Sequence, residues 1–123
     1  MVDKVRIAID AMGGENSPNK IFEGIKISLR KNKNNYFYLF GKEELLQKKM
    51  KENIEIKDYC EIVDSKEFIE DKESPLAAAK KGKTTSMWKC IESQKEGNAD
   101  ISLSAGNTGA LLVVSRLILN TIE

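Results

Sequence analysis

The chain has 123 residues, 41% of them hydrophobic and 32% charged, which suffices for one domain with a real core and excludes a disordered or fibrous protein. Lys plus Arg number 20 against 19 Asp plus Glu, and this net charge of +1 carries no electrostatic footprint for nucleic acid as a partner. Histidine is absent, and Cys60 and Cys90 stand far apart, so zinc ribbons, haem attachment, dithiol redox motifs and every catalytic set that needs an imidazole are excluded.

Val5, Ile7 and Ile9 alternate with Arg6 and Ala8, which predicts a first strand ending at Asp10. A loop with adjacent Gly13 and Gly14 follows. Ser17-Pro18 then reads as an N-cap and first helical position, with Ile21, Phe22, Ile25 and Leu29 at helical spacing as far as Lys31. Asn34-Asn35 signals a turn, and the aromatic run Tyr36 to Phe40, stopped by Gly41, predicts a second strand buried on both faces. Glu43 to Lys51 predicts a second helix, and Cys60 to Val63 a third strand.

The charged stretch from Glu67 to Glu73 reads as a solvated surface loop. Ser74-Pro75 opens a short Ala-rich helix that Gly82 should interrupt, and Thr84 or Thr85 caps a longer one running to Gly97. Ile101 to Ser104 is a short strand, and the turn Ala105 to Gly109 leads into an apolar helix from Ala110 to about Asn120. Such alternation predicts one α/β domain over residues 1–123, with a mostly parallel sheet and helices on both faces. The last helix has almost no polar face, so it should be buried, covered by further sequence or by a partner subunit. The start of the chain lacks the apolar stretch of a secretory signal, and the longest apolar run falls well below the ~20 residues that cross a bilayer. Together with two free thiols, this leads to an expectation of a cytoplasmic protein.

In an open α/β sheet, ligands bind beyond the carboxyl ends of the strands, where both glycine-containing loops fall. The first loop, Asp10, Met12, Gly13 and Gly14, either lets a ligand approach the backbone closely or is a plain strand-to-helix connection. The second is more telling. Gly106 and Gly109 remove side-chain bulk where a helix presents unpaired N–H groups, and Ser104, Asn107 and Thr108 bring hydroxyls and an amide to the same turn, a geometry suited to a phosphate-sized anion. It is neither a Walker A loop nor a dinucleotide fingerprint. A third segment, Lys80 to Ser86, collects cations and hydroxyls before a helix. It reads either as solvated surface or as a contact, through Lys83 and Ser86, for a phosphate group or an acidic carrier protein.

At these three loops the sequence resembles the bacterial phosphate acyltransferase family (PlsX-type, acyl-acyl carrier protein:phosphate acyltransferase). The resemblance rests on Ile7-Ala8-Ile9-Asp10-Ala11-Met12-Gly13-Gly14 followed by Pro18, and on Ser104-Ala105-Gly106-Asn107-Thr108-Gly109-Ala110-Leu111, with Ser74-Pro75 and Ser86-Met87 in matching order between them. Glu15-Asn16 departs from that family's usual Asp-His, and Gly82 and Thr84-Thr85 depart from its usual residues. The resemblance implies a Rossmann-like fold of the isocitrate-dehydrogenase or phosphotransacetylase type and an N-terminal portion of a longer enzyme. It also implies a homodimer with peripheral membrane association, and transfer of a fatty acyl group from acyl carrier protein to inorganic phosphate for phospholipid synthesis. No cofactor or metal is expected. Asn107 and Thr108 are the expected catalytic donors, with Asp10, Met12, Gly13, Gly14, Lys83, Ser86, Ser104, Gly106 and Gly109 around the substrate. The alternatives are an inactive anion-binding module and a phosphotransacetylase-like enzyme that uses acyl-coenzyme A.

Overall fold

The computed structural model describes residues 4–14, 16–70 and 73–104, together with Val114 and Ile118; at Ala78 and Ala79 it describes the backbone alone. Four strands, β1 (Val5–Asp10), β2 (Asn35–Gly41), β3 (Cys60–Asp64) and β4 (Ile101–Leu103), form one sheet in the order β3-β2-β1-β4. Every pairing is parallel, with Ile9 opposite Leu39 on one side and Leu103 on the other. The fold is thus α/β and Rossmann-like, as the alternation of elements predicts. Ile7, Ala8, Ile9 and Asp10 are all buried, because β1 has a neighbour on each side and a layer on each face.

One face of the sheet is covered by α1 (Asn19–Lys31) and α2 (Glu43–Glu52). Phe22, Ile25 and Leu29 recur every three to four residues on α1 and meet Ile7, Ile9, Phe37 and Leu39, with Leu46 and Met50 of α2 completing the cluster. Each such side chain contributes about 1.5–3 kcal/mol by leaving water. The opposite face carries α4 (Ser86–Lys95), whose Cys90 packs with Ala8, Phe40 and Ala99. Val114 and Ile118 are helical and buried against Ile69, Met87 and Ile91, consistent at those two positions with the buried helix expected there. The rest of that predicted helix lies outside the described residues.

Two local expectations need correction. Ser17 does not cap α1. The Ser17-Pro18 peptide is cis, Pro18 itself occupies the cap position, and the Ser17 hydroxyl donates to the Gly13 carbonyl, closing the preceding loop on itself. After α2 the chain forms a 3-10 turn, Ile54–Tyr59, anchored by buried Ile56. The Glu67 to Glu73 stretch is not simply solvated: Glu67 bridges to Thr85, Ile69 enters the core, and Glu73 pairs with Lys81 at 2.5 Å. Glu67 and Glu73 thus tie this segment to the start of α4 and to the end of α3 (Pro75–Lys81). The expected caps of those helices do form, with Ser74 Oγ accepting from the Ala77 N–H and Thr85 Oγ1 accepting from that of Trp88. Gly82, at φ +65°, interrupts between them as expected.

Candidate functional site

The chain runs outward from β1 through β2 to β3 and then returns to the other side of β1 as β4, so the strand order reverses beside β1, and the crevice at the carboxyl ends there is where open α/β sheets hold ligands. Asp10, the last residue of β1, sits at that point and is almost completely buried. Its Oδ1 accepts from the Ser86 hydroxyl at 2.6 Å and from the Met12 N–H at 3.1 Å, while Oδ2 accepts from the Ser104 hydroxyl at 3.1 Å. The Gly13 N–H adds a fourth donor. Burial still holds the Asp10 carboxyl above the ordinary carboxylate range, and these hydrogen bonds oppose the shift. An ionised carboxylate has about four acceptor positions, and here each one has a donor.

Three segments far apart in sequence therefore converge on one carboxylate: the loop after β1, the first turn of α4 and the end of β4. Of the sequence-predicted site residues, Asp10, Met12, Gly13, Ser86 and Ser104 are brought together. Met12 is also a packing residue, since its side chain fills the space beside Gly41. Gly14 takes φ +86° and Asn16 φ +60°, backbone that turns the loop back toward α1. Lys83 lies exposed in the 3-10 turn Gly82–Thr84. Gly106, Asn107, Thr108 and Gly109 lie outside the described residues.

The geometry sharpens what each group can do. A serine hydroxyl has one proton, and those of Ser86 and Ser104 are committed to Asp10. Asp10 itself is turned inward, onto its own chain, so it sets the orientation of its neighbours. Cys90 borders the cluster on α4. It is buried beneath the cluster, its Sγ 3.6 Å from the Leu103 carbonyl, and burial beside the Asp10 charge pushes its thiol far up, the state of a small apolar filler. Among the described residues, no group of His, Cys, Asp and Glu is arranged to hold a metal, and no helix is long and apolar enough to cross a membrane.

Residues 5–123 match a family model described as "Fatty acid synthesis protein". The phosphate acyltransferase of Pelagibacter ubique is 47% identical over 97% of this chain, covering 35% of its own length. Those of Rhodopseudomonas palustris strain HaA2 and Caldicellulosiruptor bescii are 39% and 35% identical, each over 97% of this chain and over 34% and 36% of their own. The chain thus spans about a third of the length of these curated relatives.

Proposed function

The chain belongs to the fatty acid synthesis protein family, and from this premise we propose that the complete protein transfers a fatty acyl group from acyl carrier protein to inorganic phosphate. The observation that carries the reading is the convergence of the three loops on Asp10 at the switch point of the sheet, in a chain whose relatives are named phosphate acyltransferase. A phosphate oxygen attacks the thioester carbonyl, the carbon–sulfur bond breaks, and the phosphate proton leaves with the carrier thiolate as a thiol. Acyl phosphate and free carrier result, and the acyl phosphate feeds phospholipid synthesis. The chain acts as the N-terminal portion of a cytoplasmic homodimer that meets the membrane peripherally.

This chemistry suits a site without histidine. Phosphate near neutrality is already ionised, as phosphomonoesters are above a second pKa of about 6, so it needs no strong base. What the protein must supply is position and hydrogen-bond donors for the oxyanion. Asn107, Thr108 and the backbone N–H groups of Gly106 to Gly109, in the turn and helix start that the sequence predicts there, take that role. Gly14 gives the facing loop room for substrate, and Lys83 offers a cation to phosphate or to the acidic carrier. Asp10 is a positioning residue. It fixes Ser104, two residues before Gly106, and Ser86 at the start of α4, so that the two loops keep one spacing.

The test gives the complete protein acyl-carrier thioester and phosphate, and follows free carrier thiol together with acyl phosphate trapped by hydroxylamine. Both should appear in equal amounts, and Asn107→Ala or Thr108→Ala should lower turnover by roughly 10²-fold, the scale of losing one oxyanion donor. Release of thiol without acyl phosphate would show hydrolysis instead. Equal use of acyl-coenzyme A would remove the carrier from the reading.

A further inference from the structure

We infer that the apolar groove between α1 and the β1–β4 edge of the sheet holds the hydrocarbon chain of the acyl donor, with the thioester at its Ser104 end. The inference rests on the proposed acyl transfer and deepens it by naming where the chain lies.

The groove has a volume of about 380 Å³ and is lined mainly by Ile9, Ile21, Ile25, Phe37 and Leu103, with Lys20, Ser28 and Ser104 as its polar members. It follows from the topology. The parallel register sets Leu103 beside Ile9, so both side chains leave the same face of the sheet. Among the described residues, α1 covers that face over β1 and β2 but leaves β4 open, and Leu103 stays 51% exposed. An apolar trough remains along the helix.

Two further features distinguish this trough from an ordinary packing gap. Its one end is a residue of the candidate site: Ser104 both lines the groove and donates to Asp10. The carboxyl end of the groove therefore lies at the edge of the sheet where β1 and β4 end. The second feature is Gly24, in the middle of α1 and on the groove wall. Glycine within a helix costs about 1 kcal/mol relative to alanine. A Cβ built on Gly24 would meet nothing within 4 Å, so none of the described residues requires a glycine there. What the missing side chain preserves is the width of the trough. The acyl chain must leave water somewhere within reach of the attacked carbonyl, and this surface is apolar, elongated and joined to the site.

The test is Gly24→Phe in the complete enzyme, with Gly24→Ala as the mild counterpart, assayed with carrier thioesters of graded acyl length at saturating phosphate. Each methylene withdrawn from an apolar site lowers affinity about fourfold, so displacing three or four lowers kcat/KM for long-chain donors by roughly 10²-fold. Short-chain donors and the KM for phosphate should stay within about twofold, and Gly24→Ala should give the same length-dependent loss on a smaller scale. An equal loss at every length, a loss that tracks a lowered Tm, or no loss at all would overturn the inference. The first two of these would make the groove a packing surface for another segment of the polypeptide. A second readout does not depend on turnover: a diazirine-bearing long-chain acyl carrier thioester should label peptides containing residues 20–28 and 101–104. Labelling elsewhere in an active enzyme overturns the groove alone. A native enzyme that makes no acyl phosphate overturns the proposed function instead.

Discussion

Ser86→Ala is the most informative substitution for the site, because it removes one of the four donors to a buried carboxylate and little else. Ser86 is fully buried and Asp10 is 1% exposed, so their bond at 2.6 Å is not screened by solvent. A hydrogen bond to a charged partner contributes about 1.5–3 kcal/mol, whereas one between neutral groups contributes about 0.5–1.5 kcal/mol. The cost of the substitution therefore depends on the protonation of Asp10. Burial already holds that carboxyl above its ordinary value, and Ser86 opposes the shift, so removing Ser86 raises the folded-state pKa further. A carboxyl raised on folding contributes stability that is present below its unfolded pKa of about 3.9 and is lost as pH rises through the folded pKa. The variant should thus lose more than the native protein across that window. The expected cost is about 1 kcal/mol where Asp10 is protonated, growing to about 2–3 kcal/mol at neutral pH. Urea unfolding between about pH 4 and pH 8 measures it, and each kcal/mol corresponds to a Tm shift of about 3–6 °C at this size. A cost that is constant with pH, or that shrinks as pH rises, would refute the reasoning that a titrating Asp10 leans on Ser86.

Gly41→Ala should destabilise by about 1–3 kcal/mol, since its Cβ would stand 2.8 Å from Met12 Cγ and 3.0 Å from Leu46 Cδ1, and the displaced Met12 should also weaken phosphate binding, read by calorimetry. Gly24→Ala, in open space within α1, should stabilise by about 0.5–1 kcal/mol in chemical denaturation, and a loss of stability would show that the helix needs its glycine. Burial pushes the Cys60 thiol up to about 12 and the Cys90 thiol higher still. At about pH 8 both should therefore react with a thiol reagent at least ~10²-fold more slowly than a free cysteine, with full reactivity restored in denaturant. Rapid labelling of Cys90 in the native protein would contradict its place beneath the site.

The elements were legible in the sequence wherever the signal is local. Alternation marked β1, helical spacing marked α1, and Ser74 and Thr85 were recognisable caps because a cap is a bond between residues three apart. Local chemistry misled at Ser17, whose hydroxyl found the Gly13 carbonyl in place of the helix. It also misled at Glu67 to Glu73, where a charged composition concealed a buried Ile69 and a paired Glu73. The first turn of α2 shows why: its cap is Asp64, which accepts from the Glu43 N–H at 3.1 Å from 21 residues away. No window along the chain contains that bond.

The sequence by itself determined that this is an α/β chain with glycine-containing loops at strand ends and no imidazole chemistry, since those properties follow from composition and spacing. Only the tertiary structure decided which of the candidate residues belong together. Asp10, Ser86 and Ser104 are 76 and 94 residues apart along the chain, and they meet because β1 is central and β4 pairs beside it. Strand order is set by packing of whole layers against each other, so the switch point, the inward turn of Asp10 and the groove ending at Ser104 exist only once the sheet has formed.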